Sequence, residues 1–195
     1  MPNNRDYKEF AIGSYYHIYN RGNGKMNIFC DNDDYKFFLQ RLSENLTGII
    51  SKSVTGKYKR KTLPVGAFDL VAYCLMPNHF HLLLRQNTEL SMSKIISKVS
   101  TSFSKYFNLK YERVGSVFQD QFKSVLVASD AQIRWLIEYI HQNPVKAGIT
   151  SMAEEYPYSS LSNTLKMPIK EDVFDTSRDY ADGIACDNSF ISIDE

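Results

Sequence analysis

The sequence predicts an α+β fold: a ferredoxin-like (RRM-like) antiparallel sheet with helices packed mainly on one face. Three observations carry this. The elements read in the order β-α-β-β-α-β-α; two apolar runs are separated only by Pro77-Asn78; and the polar stretches between strands carry apolar residues at helical spacing.

Each element has its own local reason. "SYYHIYNRG", Ser14 to Gly22, is rich in Tyr and Ile and closes on a turn signal, so it reads as the first strand. Asp31 to Asp34 supply helix-capping chemistry, and Phe37, Phe38, Leu42 and Leu46 then recur on one helical side. Residues 51–61, "SKSVTGKYKRK", are polar and basic, with Lys57, Lys59, Arg60 and Lys61 together; they read as a loop or hairpin tip, either solvated or in contact with phosphate. "VGAFDLVAYCLM" and "HFHLLLR" are the second and third strands, joined by Pro77-Asn78 as a hairpin. A second helix presents Met92, Ile95, Ile96, Val99, Phe103 and Phe107 on one side. "VFQDQFKSVLVAS" reads as a fourth strand, and a third helix starts at Asp130 as its cap and closes near Asn143-Pro144.

The totals bound the function. A chain of 195 residues with 43% apolar content is long enough for one well-formed core. The net charge of +1 conceals an asymmetry: residues 170–195 hold eight acids and two bases, whereas residues 1–169 hold 21 bases and 14 acids. A basic body is compatible with a polyanionic partner, and equally with a solvated surface beside an acidic tail. This divides the chain into an expected domain over 1–162 and an acidic tail over 163–195. Three scattered cysteines make neither a disulfide framework nor a zinc ribbon. No signal-peptide core opens the chain, and no apolar run approaches the ~18 residues of a membrane span, so the expected location is cytoplasmic.

The chemistry concentrates in "MPNHFHLLL". On a strand, residues two apart share a face, so His79 and His81 project together and Phe80 points the other way. Two neutral imidazoles can hold a divalent metal and leave positions for a phosphate oxygen and water. The same pattern also occurs as two half-buried polar side chains. His17, on the first strand, is a candidate neighbour of the pair, while His141 reads as a surface or packing residue. In the third helix Tyr139 and Asn143 are four apart and share a face. A phenolate can attack a phosphodiester, but a phenol ordinarily titrates near 10 and needs activation or a polarised phosphate. Spacing alone does not separate Tyr139 from the other twelve tyrosines.

Taken together and in this order, "MPNHFHLLL", "GSVFQDQFKS" and "EYIHQNPVKAG" resemble the IS200-like transposases, and most closely the subgroup associated with repetitive extragenic palindromes (REP). The resemblance runs from about Tyr15 to about Leu161. It implies a single-strand DNA nuclease of the His-hydrophobic-His class with one catalytic tyrosine, acting as a nickase and strand transferase. The metal histidines fall on His79 and His81, and the nucleophile on Tyr139. The polar ligand four residues on, often Gln in the family, falls on Asn143, one methylene shorter. The implied cofactor is Mg²⁺ or Mn²⁺; the implied intermediate is a 5′-phosphotyrosine with a free 3′-OH. The implied partner is single-stranded DNA with hairpin or palindromic elements, and a homodimer is compatible with the family. The rival reading is a non-catalytic nucleic-acid-binding module on the same sheet. For DNA contact, Arg21, Lys123 and Lys146 follow turns or helix ends, and Phe118 and Gln119 combine stacking with amide chemistry; Phe118 fits a core position equally well.

Overall fold

A computed structural model describes residues 10–50 and 61–170. Strands β1 (Tyr15–Arg21), β2 (Phe68–Met76), β3 (His79–Gln86) and β4 (Lys123–Val127) form one sheet in the order β2-β3-β1-β4. All three neighbouring pairs are antiparallel. Helices α1 (Asn32–Thr47), α2 (Met92–Lys110) and α3 (Asp130–Lys146) complete the β-α-β-β-α-β-α order that the sequence predicts.

Alternation along the strands creates two unlike faces. Tyr16, Ile18, Phe80, Leu82 and Leu84 line one face and join Phe38, Leu42, Ile95, Val99 and Phe103 from α1 and α2 in the main core. Each such side chain contributes roughly 1.5–3 kcal/mol by leaving water, which makes this layer the main source of stability. Helix α3 lies across the opposite face, burying Ile133, Leu136 and Ile140 against Val71, Ala72, Cys74, Met76 and Leu83. The helices are therefore split two to one, and α3 is the one that meets the histidine-bearing face.

The helix ends follow capping chemistry. Asp31 caps α1 in a reciprocal box with Asp34, and Gly48 closes the helix at a φ of 73°, a left-handed position that favours glycine. Lys110, at the end of α2, reaches Asp31 and Asp34 at 2.7 and 2.8 Å and ties the two helices together. The cap of α3 is Ser129, whose hydroxyl accepts from the Gln132 N–H, and not Asp130 as expected. Asp130 instead begins the helix and places its charge in the first turn.

Two other local expectations are corrected. Helix α3 does not stop before Pro144 but runs through it to Lys146. Pro144 has no N–H for the Ile140 carbonyl. The Asn143 side chain answers this locally: its Nδ2 donates to the Tyr139 carbonyl at 2.8 Å and lies 3.5 Å from that of Ile140. Strand β4 is also shorter than expected. Residues 117–122 are irregular because Val117 and Phe118 turn into the core, leaving only a single bridge between Phe118 and Gly22.

Residues 163–170 pack back on the body. Met167 joins the main core, and Ile169 bridges Leu70 on β2. Most of the acidic tail, residues 171–195, lies outside the described residues, as do Lys57, Lys59 and Arg60 of the basic segment. No helix among the described residues is long and apolar enough to cross a membrane.

Candidate active site

The site begins with the register of β1 against β3. Tyr19 is opposite His81 and Arg21 is opposite His79; on the other side of β1, Tyr19 is opposite Lys123. Because these residues alternate with core positions, the face opposite the main core carries His17, Tyr19, Arg21, His79, His81 and Lys123 together. The two histidines of β3 have ring centroids 5.0 Å apart, with planes at 89°. Their projection from one face is as the sequence predicts.

The hairpin tip is held in place. Gly22 N–H donates to the Asn78 carbonyl, and the Ile28 and Phe29 N–H groups donate to the Pro77 carbonyl. A Cβ at Gly22 would stand 2.2 Å from the Met26 carbonyl oxygen, so only glycine allows the loop to close this tightly. The Asn78 side chain thereby reaches its neighbour, with Oδ1 2.5 Å from His79 Nδ1.

Helix α3 brings Tyr139 over the pair. Its ring stands edge-on to His81 at 5.9 Å and to His17 at 6.3 Å. Trp135, one turn earlier, stacks on Tyr139 at 5.3 Å with planes 15° apart. The Lys146 ammonium lies 5.0 Å from the same ring. Among the described residues two tyrosines stand against the histidines: Tyr139 from α3, and Tyr19 of β1, whose ring lies 6.0 Å from His81 and 5.0 Å from His17.

His17 completes the group, and its contact went unspecified in the sequence. It is fully buried, and its Nε2 lies 2.9 Å from His81 Nδ1. The sequence signal was its place between Tyr15 and Tyr19 at period two, on the face opposite Ile18. In the sequence Trp135 is marked only by its place four residues before Tyr139, and Asn78 only as half of the Pro77-Asn78 turn. His141, by contrast, is packing: its Nε2 meets Ser160 Oγ at 2.6 Å and fastens the 156–162 segment to α3.

Burial sets the protonation states. It lowers His17 and His79 to about 4, the latter helped by the Arg21 charge, and it takes His81 well below the ordinary value, helped by His17 and His79. All three rings are therefore neutral at pH 7, the form that offers a lone pair to a cation. Among the described residues no three His, Cys, Asp or Glu side chains are grouped to hold a metal by themselves. Two histidines with neutral rings fit a divalent ion whose remaining donors are an amide, water or phosphate. Asn143 suits that part chemically: its Nδ2 is committed to the helix, and its Oδ1 accepts no hydrogen bond among the described residues.

The remaining sequence candidates divide. Arg21 and Lys123 lie on the histidine face, Arg21 two residues along β1 from Tyr19 and Lys123 opposite Tyr19 on β4. Gln119 is exposed, beside Arg21, whose carbonyl accepts its backbone N–H. Phe118 is only 7% exposed and packs edge-on against Phe80 at 5.9 Å. Its burial is that of a core residue, one of its two expected roles.

Comparison with known proteins places this geometry. The sequence model described as "Transposase IS200 like" matches residues 14–143. The chain belongs to the IS200-like transposase family. That match spans β1 through Asn143 and so includes every residue of the cluster around His81. A protein of Haemophilus influenzae that carries the name REP-associated tyrosine transposase is 28% identical over 113 residues, covering 52% of this chain and 64% of the relative. The chain thus spans a little under two thirds of that relative's length. Among solved structures, a REP-associated tyrosine transposase bound to a REP hairpin superposes with a TM-score of 0.59 at 15% identity, over 88% of this chain and 94% of the other. At that identity the likeness speaks for the fold, and an IS200-like transposase fold is what the sheet order and helix placement describe.

Proposed function

We propose that the protein cleaves and rejoins single-stranded DNA through a 5′-phosphotyrosine on Tyr139. The observation that carries this reading is the Tyr139 ring edge-on to His81, delivered by a helix that crosses the histidine face. His79, His81 and Asn143 are the proposed ligands of Mg²⁺ or Mn²⁺. Such a cation, when bound, supplies Lewis-acid polarisation of the scissile phosphate.

The chain's own residues do the rest. Tyr139 Oη forms a bond to phosphorus as the bond from phosphorus to the 3′ oxygen breaks. The phenol proton goes to solvent, and the 3′ oxygen leaves as a hydroxyl after taking up a proton. Attack by a 3′-OH on the phosphotyrosine reverses these steps and joins strands. Lys146 beside the Tyr139 ring, with Arg21 and Lys123 on the sheet, offers positive charge to the flanking phosphates. Gln119 adds an exposed amide beside Arg21. One chain supplies both histidines and the tyrosine. The relative whose fold it shares was seen with a REP hairpin, which makes a single-stranded hairpin DNA the first substrate to try.

The test is direct. Labelled single-stranded hairpin DNA is incubated with the protein and Mn²⁺ and resolved under denaturing conditions. A covalent adduct is expected, absent in Tyr139→Phe and in His81→Ala. An adduct that survives Tyr139→Phe overturns the nucleophile. Hairpin binding with no adduct at any divalent cation favours a non-catalytic binding module instead.

A further inference from the structure

We infer that His17 is a positioning residue: it accepts a hydrogen bond from His81 Nδ1 and so holds His81 in the tautomer that would leave its Nε2 lone pair free for a cation. This rests on the proposed metal site. The argument starts from proton counting. His17 Nε2 and His81 Nδ1 are 2.9 Å apart, and two neutral rings meeting there share one hydrogen bond, with one nitrogen donating and the other accepting. If His17 donates, His81 carries its own proton on Nε2, and that ring has no lone pair left for a cation. If His81 donates, its Nε2 lone pair is available. Only the second arrangement is compatible with His81 as a ligand.

The neighbouring histidine is arranged alike. His79 Nδ1 is 2.5 Å from Asn78 Oδ1. Once the amide is oriented with its oxygen there, it can only accept, so His79 too carries its proton on Nδ1 and offers Nε2. Two ligands on one strand thus each have an acceptor behind Nδ1, one from the hairpin tip and one from the adjacent strand. Ligating histidines are commonly oriented by such outer partners, whose loss typically weakens metal binding 10- to 100-fold.

His17 is suited to this role and to no direct one. It is fully buried, so it touches neither solvent nor DNA, and its Nε2 is already occupied by His81. Accepting at Nε2 puts its proton on the far nitrogen, Nδ1, which is buried with no hydrogen-bond partner among the described residues. An apolar residue would fill a buried strand position without leaving a polar atom unpaired, which ordinarily costs about 1–3 kcal/mol. A structural role alone gives no reason for imidazole here, whereas an acceptor for His81 does.

Two measurements test the inference. Nitrogen-15 spectra of the imidazoles in the wild-type protein saturated with diamagnetic Mg²⁺ are expected to show His81 protonated on Nδ1, with a scalar coupling across the hydrogen bond to His17 Nε2. A His81 proton on Nε2 in that state overturns the inference. In parallel, Mn²⁺ affinity is followed by electron paramagnetic resonance. His17→Leu is expected to weaken it 10- to 100-fold. His17→Gln, whose amide oxygen falls near the position of Nε2, is expected to restore most of it. Lost Mn²⁺ binding in His79→Ala with unchanged binding in His17→Leu overturns the positioning role alone. Undiminished binding in both overturns the metal site, and this inference with it.

Discussion

Replacement of Asn143 by alanine separates the observed role of one side chain from its proposed one. Its Nδ2 braces α3 where Pro144 leaves a carbonyl without a donor, and its Oδ1 is the proposed ligand atom. The cost of losing the brace can be bounded. One good hydrogen bond, at 2.8 Å to the Tyr139 carbonyl, contributes about 1 kcal/mol net. The contact with Ile140 is at the 3.5 Å limit and adds little. Alanine is the better helix former by roughly 0.6 kcal/mol, which offsets much of the loss. The net destabilisation is therefore about 0.5 kcal/mol, a shift of roughly 1–2 °C in Tm for a chain of this size. The variant stays folded, and its metal binding can be read cleanly.

If Oδ1 completes the ligand set, Mn²⁺ affinity measured by electron paramagnetic resonance falls by at least about tenfold, the lower end of what even an outer partner is worth. Asn143→Asp adds a control with the opposite balance. It keeps an oxygen for the cation but turns a carboxylate toward the Tyr139 carbonyl, so stability falls by about 1 kcal/mol or more while Mn²⁺ binding persists. Wild-type Mn²⁺ affinity in Asn143→Ala would refute the ligand assignment and leave Asn143 as a helix brace beside a proline.

Other outcomes follow from the same geometry. Phe118→Ala is expected to lower stability by about 3–5 kcal/mol, roughly 10 °C in Tm, because the ring fills the core against Phe80; a change under 1 kcal/mol in thermal unfolding would return Phe118 to the surface. Arg21→Ala and Lys123→Ala are each expected to reduce the salt dependence of single-strand binding by about 0.7 in slope, and an unchanged slope removes that side chain from the phosphate path. The metal-free protein is expected to lose stability as pH falls from 6.5 to about 4. His17 titrates at about 4 when folded and near its ordinary 6.5 when unfolded, so the unfolded chain takes up the proton first. That one residue is worth about 3 kcal/mol across the window, and denaturant titrations at pH 7 and 4.5 that coincide would contradict its burial as a neutral ring.

What could be read without coordinates divides along physical lines. The pairing of His79 with His81 was legible because strand alternation is local and has a period of two, and the hairpin followed from Pro77-Asn78 for the same reason. The proposed role of Tyr139 is not local: thirteen tyrosines compete, and the order of motifs along the chain points to the one that α3 carries to the histidine face. Phe118 and Pro144 escaped for another reason. Whether a Phe in an irregular stretch stacks outward or turns inward depends on what lies beneath it, here Phe80 and Phe103. Whether a proline ends a helix depends on whether the turn around it is braced from nearby, here by the Asn143 amide on the Tyr139 carbonyl.

His17 shows most sharply why register matters for chemistry. It is 64 residues from His81, and nothing local in either strand says they meet. Sliding β1 by one residue against β3 would turn His17 into the main core and Ile18 toward the site. The register is held instead by Tyr16 and Ile18, which must enter the core beside Phe80, Leu82 and Leu84. The apolar residues of β1 therefore decide which nitrogen of His81 has an acceptor behind it. A site that reads as two histidines and a tyrosine is, in the folded chain, set by the packing of the opposite face of the sheet.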